Sequence, residues 1–213
     1  MGRTFPVDLR MRLAALLFFV MTASPALALV AGTGVPTETV GYGIMKGLAH
    51  PVAGFEHLLF VLAAGAAAAL AGQALPGILS WVAGMTAASL VILQSGDLPV
   101  QQVLGGGALV LIGGLIASGR RPSVPRLAIV FFLGGVLQGA IFSAGILGPL
   151  TTPGPAGLAG YLAGFAATQA LIACTAALLA AGVRPLSVRL ASAAMLSAGV
   201  LLCFEMAEAA LAG

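Results

Sequence analysis

Two histidines and a glutamate within eight residues are the strongest chemical signal in the sequence. His50, Glu56 and His57 stand at the start of a long apolar run, and the chain of 213 residues contains no other histidine. Ionisable groups are costly in lipid and usually serve a function there. Imidazole nitrogen suits nickel, cobalt, copper, zinc and ferrous iron, and a carboxylate adds affinity and balances charge. The segment therefore predicts a site for a divalent metal ion.

The spacing of the two histidines fits one face of a single helix. His50 and His57 are seven residues apart, so at about 100° per residue they would lie two turns apart on nearly the same face, with Cα atoms roughly 10.5 Å apart. Helical side chains lean toward the N-terminus, so His57 would point back toward His50. Such a pair could bind one ion between the two imidazoles, or form two separate binding positions along an ion path. The alternative is a pair of boundary histidines that simply reach water.

Three glutamates are candidate carboxylates for the same site. Glu56 lies about 100° around the helix from His57, where it either supplies charge near the ligands or makes a structural hydrogen bond to a neighbouring helix. Glu205 and Glu208 are three residues apart near the end of the last apolar run. They either reach water on the outer side or add carboxylates to the His50 site.

Composition indicates an integral membrane protein. The chain has 60% hydrophobic and 7% charged residues and a mean hydropathy of +1.12, whereas a soluble domain has about 25% charged residues. The net charge of +3 does not indicate nucleic-acid binding, because the arginines beyond the N-terminal region are confined to two short loops. Cys174 and Cys203 fall inside apolar runs and are interpreted as free, buried small hydrophobic residues.

Apolar runs divide the chain into a leader and six spans, an all-α membrane bundle in one transmembrane domain (29–213). Residues 1–28 are typical of a cleaved signal peptide, with an uncleaved first span as the alternative. A short helix over 40–50 is too short to cross and is interpreted as interfacial or re-entrant. Pro51 then suits the first turn of span one. The predicted spans are 52–72, 76–95, 99–118, 126–147, 157–181 and 186–210.

Charge placement predicts the orientation. Arg120, Arg121 and Arg126 lie between spans three and four, and Arg184 and Arg189 lie between spans five and six. With the mature N-terminus outside a bacterial inner membrane, both loops fall on the cytoplasmic side, as the positive-inside rule requires.

Glycine spacing predicts close helix packing. The pairs Gly135 with Gly139 and Gly160 with Gly164 are small-x-x-x-small motifs, which let helix backbones approach each other.

The histidine segment resembles a family signature. His50-Pro51-x-x-Gly54-x-Glu56-His57 resembles the His-Pro-x-x-Gly-x-Asp-His motif of the HupE/UreJ family, with glutamate in the place of aspartate. The resemblance implies nickel or related cation permeation across the inner membrane, for hydrogenase or urease assembly, with His50, Glu56 and His57 as the capture site.

Two later segments resemble family segments that carry histidines. Gln138 and Ser89 stand in the places of those histidines. With Gln169 they would offer weak polar stations along an inward path.

The leading function is a permease for a divalent transition-metal cation, most of all nickel, with lipid and the cation as partners. The alternative is a non-transporting subunit or assembly factor that packs against a larger membrane complex or further copies of the chain. A copper handler using Cys174, Cys203 and methionines is a third reading. No enzyme motif is present, and no nucleotide-binding motif supplies energy, so a gradient or a partner must drive transport.

Overall fold

The computed structural model describes residues 39–53, 55–95, 101–119, 122–144 and 154–180, together with scattered residues between 192 and 208. Every regular element in this part of the chain is an α-helix. The six helices are α1 (Val40–Ala53), α2 (Phe55–Leu70), α3 (Ala74–Ser95), α4 (Gln101–Ala117), α5 (Val124–Ala144) and α6 (Pro155–Ala180). The all-helical prediction is therefore confirmed.

Helices α2 to α6 overlap the first five predicted spans. Two of the described helices are long and apolar enough to cross a membrane by themselves, α3 over Ala74–Val91 and α6 over Pro155–Ala180, and a third crossing is made if α1 and α2 form one bent span. Helices α4 and α5 contain shorter apolar stretches. The predicted leader lies outside the described residues, and so does most of the predicted sixth span.

Local sequence explains where α1 begins and where α2 ends. The hydroxyl of Thr39 accepts a hydrogen bond from the Tyr42 N–H at 3.3 Å, which is the usual role of threonine before a first turn. At the end of α2, Gly72 has a φ of +78°. The N–H of Gln73 bonds the Ala68 carbonyl at 3.0 Å, which completes the glycine-dependent helix stop.

Glycines allow α3 and α5 to pack with their backbones in contact. A Cβ on Gly135 would collide with the Trp81 carbonyl, and a Cβ on Gly139 would lie 2.8 Å from the Cα of Met85. A Cβ on Gly84 would collide in turn with the Phe132 carbonyl. The close packing that the Gly135–Gly139 spacing predicts is confirmed, and it brings two long apolar helices together where lipid gives no hydrophobic drive for association.

Helix α2 lies at the centre of the core. Its buried face carries Leu58 and Val61 in the first half and alanines in the second, and the helix packs against α1, α3, α4 and α6. Small side chains let four neighbours approach one helix. Large apolar residues face outward on the surrounding helices, for example Leu79, Ile129 and Leu171. Because these exposed side chains lie on the outer faces of apolar helices, they form the surface that contacts lipid.

Candidate metal site at a helix interruption

The histidines flank a break between two helices. Helix α1 ends at Ala53 with His50 in its last turn, and α2 begins at Phe55, so that His57 lies in its first turn. The stretches Val40–Val52 and His57–Leu70 meet at an angle of 79°. The prediction that both residues share one continuous helix is therefore wrong.

Pro51 lies inside α1 and not in the first turn of the next helix, which corrects a second expectation. Because proline has no N–H, the carbonyl of Gly47 receives no hydrogen bond from the residue four positions later. The loss weakens the last turn of α1 and favours a helix end close to the proline.

The interruption brings the two imidazoles together. The ring centroids of His50 and His57 are 6.0 Å apart, with the ring planes inclined by 49°. Both side chains are half-buried, and Nε2 of His50 and Nδ1 of His57 lie below the surface. The two side chains approach each other because the chain turns between them, and not because they stack along one helix face.

Helix α1 reaches this position by lying alongside α6. A Cβ on Gly43 would collide with the carbonyl of Gly157, and a Cβ on Gly47 with that of Tyr161. From the other side, a Cβ on Gly160 would collide with the carbonyl of Val40, and a Cβ on Gly164 with that of Ile44. Residue numbers increase together in these contacts, so α1 and α6 run in the same direction. The close packing predicted for the Gly160–Gly164 pair is confirmed.

A side chain on α6 fixes this register. The hydroxyl of Thr168 donates a hydrogen bond to the Leu48 carbonyl at 3.2 Å. A helix that runs parallel to a candidate membrane span cannot lie flat in the membrane surface. Helices α1 and α2 together therefore form either one broken span or a re-entrant loop.

Two aromatic rings of α6 enclose His50. Its ring centroid lies 5.9 Å from that of Tyr161, edge-on, and 5.9 Å from that of Phe165. Tyr161 and Phe165 stack on each other at 5.7 Å. An aromatic wall limits the rotamers open to the imidazole.

The histidines lie deeper along α6 than the sequence indicates. His50 contacts Phe165, which is ten residues into α6 and so about 15 Å from its Pro155 end. The whole helix of 26 residues is about 39 Å long. The pair is thus near the middle third of α6 and not at its end.

The nearest described charge on α1 points away from the histidines. Lys46 is one turn before His50, but its ammonium lies 5.3 Å from the ring centroid of Tyr42, a further turn back. The end of α1 is the negative end of the helix dipole, so the field at His50 favours a cation.

The remaining predicted site residues lie elsewhere. Glu56 is in the first turn of α2, but its side chain is outside the described residues, as is Glu205. Glu208 is exposed. Ser89 on α3 is 0% exposed and Gln138 on α5 is 1% exposed, and they belong to a different pair of packed helices from the histidines.

A family model described as HupE / UreJ protein matches residues 16–202. The chain belongs to the HupE/UreJ family. No curated protein and no solved structure gives a significant match to it. The HupE/UreJ family is associated with nickel and cobalt transport and is not a family of enzymes. The resemblance drawn from the His50–His57 segment is confirmed, and the family and the apolar helices together indicate a membrane location.

For this HupE/UreJ protein, the described residues hold no cluster of three or more histidine, cysteine, aspartate or glutamate side chains. Two imidazoles would leave the other positions around an ion to water, to backbone carbonyls or to Glu56. Among the residues that the structure describes, Cys174 lies on the exposed face of α6 and Cys203 is half-buried, and neither forms a disulfide. Cys174 is therefore not the buried hydrophobic residue that its apolar surroundings predict.

Sequence reasoning missed Tyr161 and Phe165. The signal that identifies them is local, because they follow Gly160 and Gly164 directly and are four residues apart, on one helix face. Their contact with His50 is not local, since more than a hundred residues separate them from it.

Proposed function

We propose that this HupE/UreJ protein is an inner-membrane permease for a divalent transition-metal cation, with nickel as the favoured cargo. His50 and His57 bind the ion, and Glu56 adds negative charge beside them. The observation that carries the proposal is the 6.0 Å separation of the two rings at an interrupted helix. Membrane transporters commonly bind ions where a spanning helix is broken.

The ring separation suits a single ion held by both imidazoles. A metal–nitrogen bond of about 2.1 Å places the ion about 3.2 Å from a ring centroid, so two rings that share one ion have centroids no more than about 6.4 Å apart. The separation of 6.0 Å falls inside that limit. A ring rotation is then enough to aim a nitrogen of each histidine at one point.

The broken helix also supplies favourable electrostatics. The last four carbonyls of a helix have no partner within it, and at the end of α1 they add partial negative charge near His50. The start of α2 carries the opposite partial charge, which Glu56 offsets. The net field therefore favours a cation on the α1 side of the pair.

The proposal includes a six-span topology with a cleaved leader and the mature N-terminus outside. In that orientation the Pro155 end of α6 is external, and an ion crosses about 15 Å of protein before it meets the histidines. Ser89 and Gln138 supply neutral oxygen ligands where relatives are expected to carry histidine. Neutral ligands hold an ion weakly and release it readily.

The test is metal accumulation in cells that express the wild type, His57→Ala or Leu59→Ala. Leu59 is on the same helix and is 48% exposed, so its variant is the matched control. We expect nickel accumulation to fall at least about tenfold for His57→Ala and to stay unchanged for Leu59→Ala, with cobalt, copper, zinc and iron measured in parallel. Equal nickel accumulation by the wild type and His57→Ala, at equal protein levels, refutes the permease.

The second candidate is a non-transporting membrane subunit or assembly factor. The observation that favours it is the absence of any histidine beyond His57, with Gln138 and Ser89 in the places where the family resemblance leads us to expect histidine. This candidate predicts that the protein purifies with a large membrane complex and that His57→Ala leaves metal accumulation unchanged.

A further inference from the structure

Gln169 is a buried polar side chain that nothing in the fold explains. It is 0% exposed, and neither the oxygen nor the nitrogen of its amide has a hydrogen-bond partner in the described part of the chain. A buried polar group left without a hydrogen-bond partner destabilises the folded state. Such a group in a native protein commonly marks a bound water, an ion or a functional role.

The position of Gln169 connects it to the histidines. It lies four residues after Phe165 and eight after Tyr161, on the same face of α6, so it is about 6 Å further along the helix than Phe165. His50 contacts both of those aromatic rings. One turn beyond Gln169, Ala173 meets Gly65 of α2, where a Cβ would lie 2.7 Å from the Cα of Ala173.

Gln169 therefore sits between the contact with α1 and the contact with α2. Phe165 on one side of it touches a histidine, and Ala173 on the other side touches the middle of α2. Its amide is enclosed where the broken helix passes along α6, on the side of the histidines away from the Pro155 end.

An amide at this depth suits transfer of a cation better than storage of one. Its oxygen is a neutral ligand that binds a divalent ion less tightly than imidazole does, and a conducting path needs sites weak enough to release the ion. Burying a neutral amide also costs far less than burying a carboxylate. The NH₂ group can hold a water molecule that the ion carries with it.

We propose that Gln169 forms an inner transfer site, whose amide oxygen receives the divalent cation after it leaves His50 and His57. This inference rests on the proposed permease function and adds a second binding position to it. Gln169 touches the ion in passage and does not shape the histidine pair.

The experiment separates binding from transport in purified protein. Wild type, Gln169→Leu and Thr175→Val are compared by titration calorimetry with nickel chloride in detergent and by nickel influx into proteoliposomes. Thr175 is the matched control because it is a buried polar residue of α6 whose hydroxyl bonds the Leu171 carbonyl of its own helix. We expect Gln169→Leu to bind nickel within about threefold of wild type and to import it at least about tenfold more slowly, and Thr175→Val to match wild type in both.

A second variant tests the site without removing polarity. Gln169→His places a stronger nitrogen ligand at the inner position, so we expect a second bound nickel or a nickel affinity about tenfold tighter, together with slower influx.

The possible failures are distinct. Influx by Gln169→Leu at the wild-type rate overturns the inner site, and so does loss of nickel binding by that variant, since Gln169 would then support the histidines or the fold. A Gln169→His protein with wild-type stoichiometry and affinity also overturns it. A wild type that neither binds nor imports nickel refutes the proposed nickel permease itself.

Discussion

Substitution of Gly47 by alanine tests whether the packing of α1 against α6 sets the geometry of the histidine pair. A Cβ at Gly47 would lie 2.7 Å from the N atom of Phe165 and 3.0 Å from the carbonyl carbon of Tyr161, whereas ordinary contact begins at 3.4 Å. The obstructing atoms are backbone, so no rotamer change relieves the clash. The Tyr161 carbonyl oxygen is nearer still, so the helices must separate by more than the roughly 0.7 Å shortfall at Phe165 N.

The separation acts directly on His50. The two residues that block the new methyl are those whose rings lie 5.9 Å from the His50 ring. A shift of more than about 0.7 Å exceeds a third of a metal–nitrogen bond of about 2.1 Å. We therefore expect Gly47→Ala to weaken nickel binding by about 10–100-fold, the usual effect of disturbing the groups that orient a metal ligand, and to reduce the free energy of unfolding by about 1–3 kcal/mol.

Gly41→Ala is the control on the same helix. A Cβ at Gly41 would meet nothing within 4 Å, so this variant should bind nickel as the wild type does and gain up to about 1 kcal/mol from helix propensity. Nickel affinity is measured by calorimetry in detergent, and unfolding by titration with a denaturing detergent. If the Gly47→Ala and Gly41→Ala proteins have the same nickel affinity and the same free energy of unfolding, the α1–α6 packing does not position His50. A stability loss with unchanged nickel affinity would refute only the link to the site.

Two further substitutions test contacts that support this arrangement. Thr168→Val removes the hydrogen bond to the Leu48 carbonyl and should lower the free energy of unfolding by about 0.5–1.5 kcal/mol. Thr175→Val is the control, because its hydroxyl bonds a carbonyl of its own helix, and it should change that free energy less. Equal losses would show that the bond between α6 and α1 stabilises the protein no more than a bond within one helix. Gly72→Ala forces alanine into a φ of +78° and should lower the free energy of unfolding by about 1–2 kcal/mol, as measured by the same titration. A decrease below a few tenths of a kcal/mol would contradict a fixed left-handed conformation at the end of α2.

The helices of this protein follow from local sequence to a large extent. Apolar runs separated by proline and glycine predict helices that overlap α2 to α6, because in lipid every backbone polar group must be satisfied within its own segment. The glycine pairs of α5 and α6 likewise predict close contacts, since a missing side chain is a local property. The His50–Pro51 segment identifies the family by itself.

The position of the interruption between the histidines could not be predicted in the same way. Pro51 fits the first turn of a new helix as well as the last turn of the preceding one. The hydrophobic periodicity of the segment does not distinguish these two positions. The choice depends on Gly43 and Gly47, which let α1 lie along α6 and so carry the helix past Pro51. That contact joins segments more than a hundred residues apart, and no pattern within the 40–57 segment encodes it.

Depth in the bundle was a further property that local sequence did not provide. A histidine at the start of an apolar run suggests the membrane boundary, but α1 carries the chain inward along α6 before α2 begins. The pair consequently lies beside Phe165, about 15 Å from the Pro155 end of α6. Only the register of α1 on α6, fixed by glycines and by the Thr168 hydroxyl, gives that depth.

For the proposed permease, the broken helix offers a physical reason why two histidines would be enough to bind a cation that must also leave. On a continuous helix the two imidazoles would have no free terminal carbonyls beside them, and tight binding would need more side-chain ligands. At the end of α1, the helix dipole and the terminal carbonyls add attraction that does not depend on further side chains. Beyond that point in the proposed path, the neutral amide of Gln169 attracts the ion only weakly. Affinity that declines along the path favours release, and a third strong ligand would oppose it.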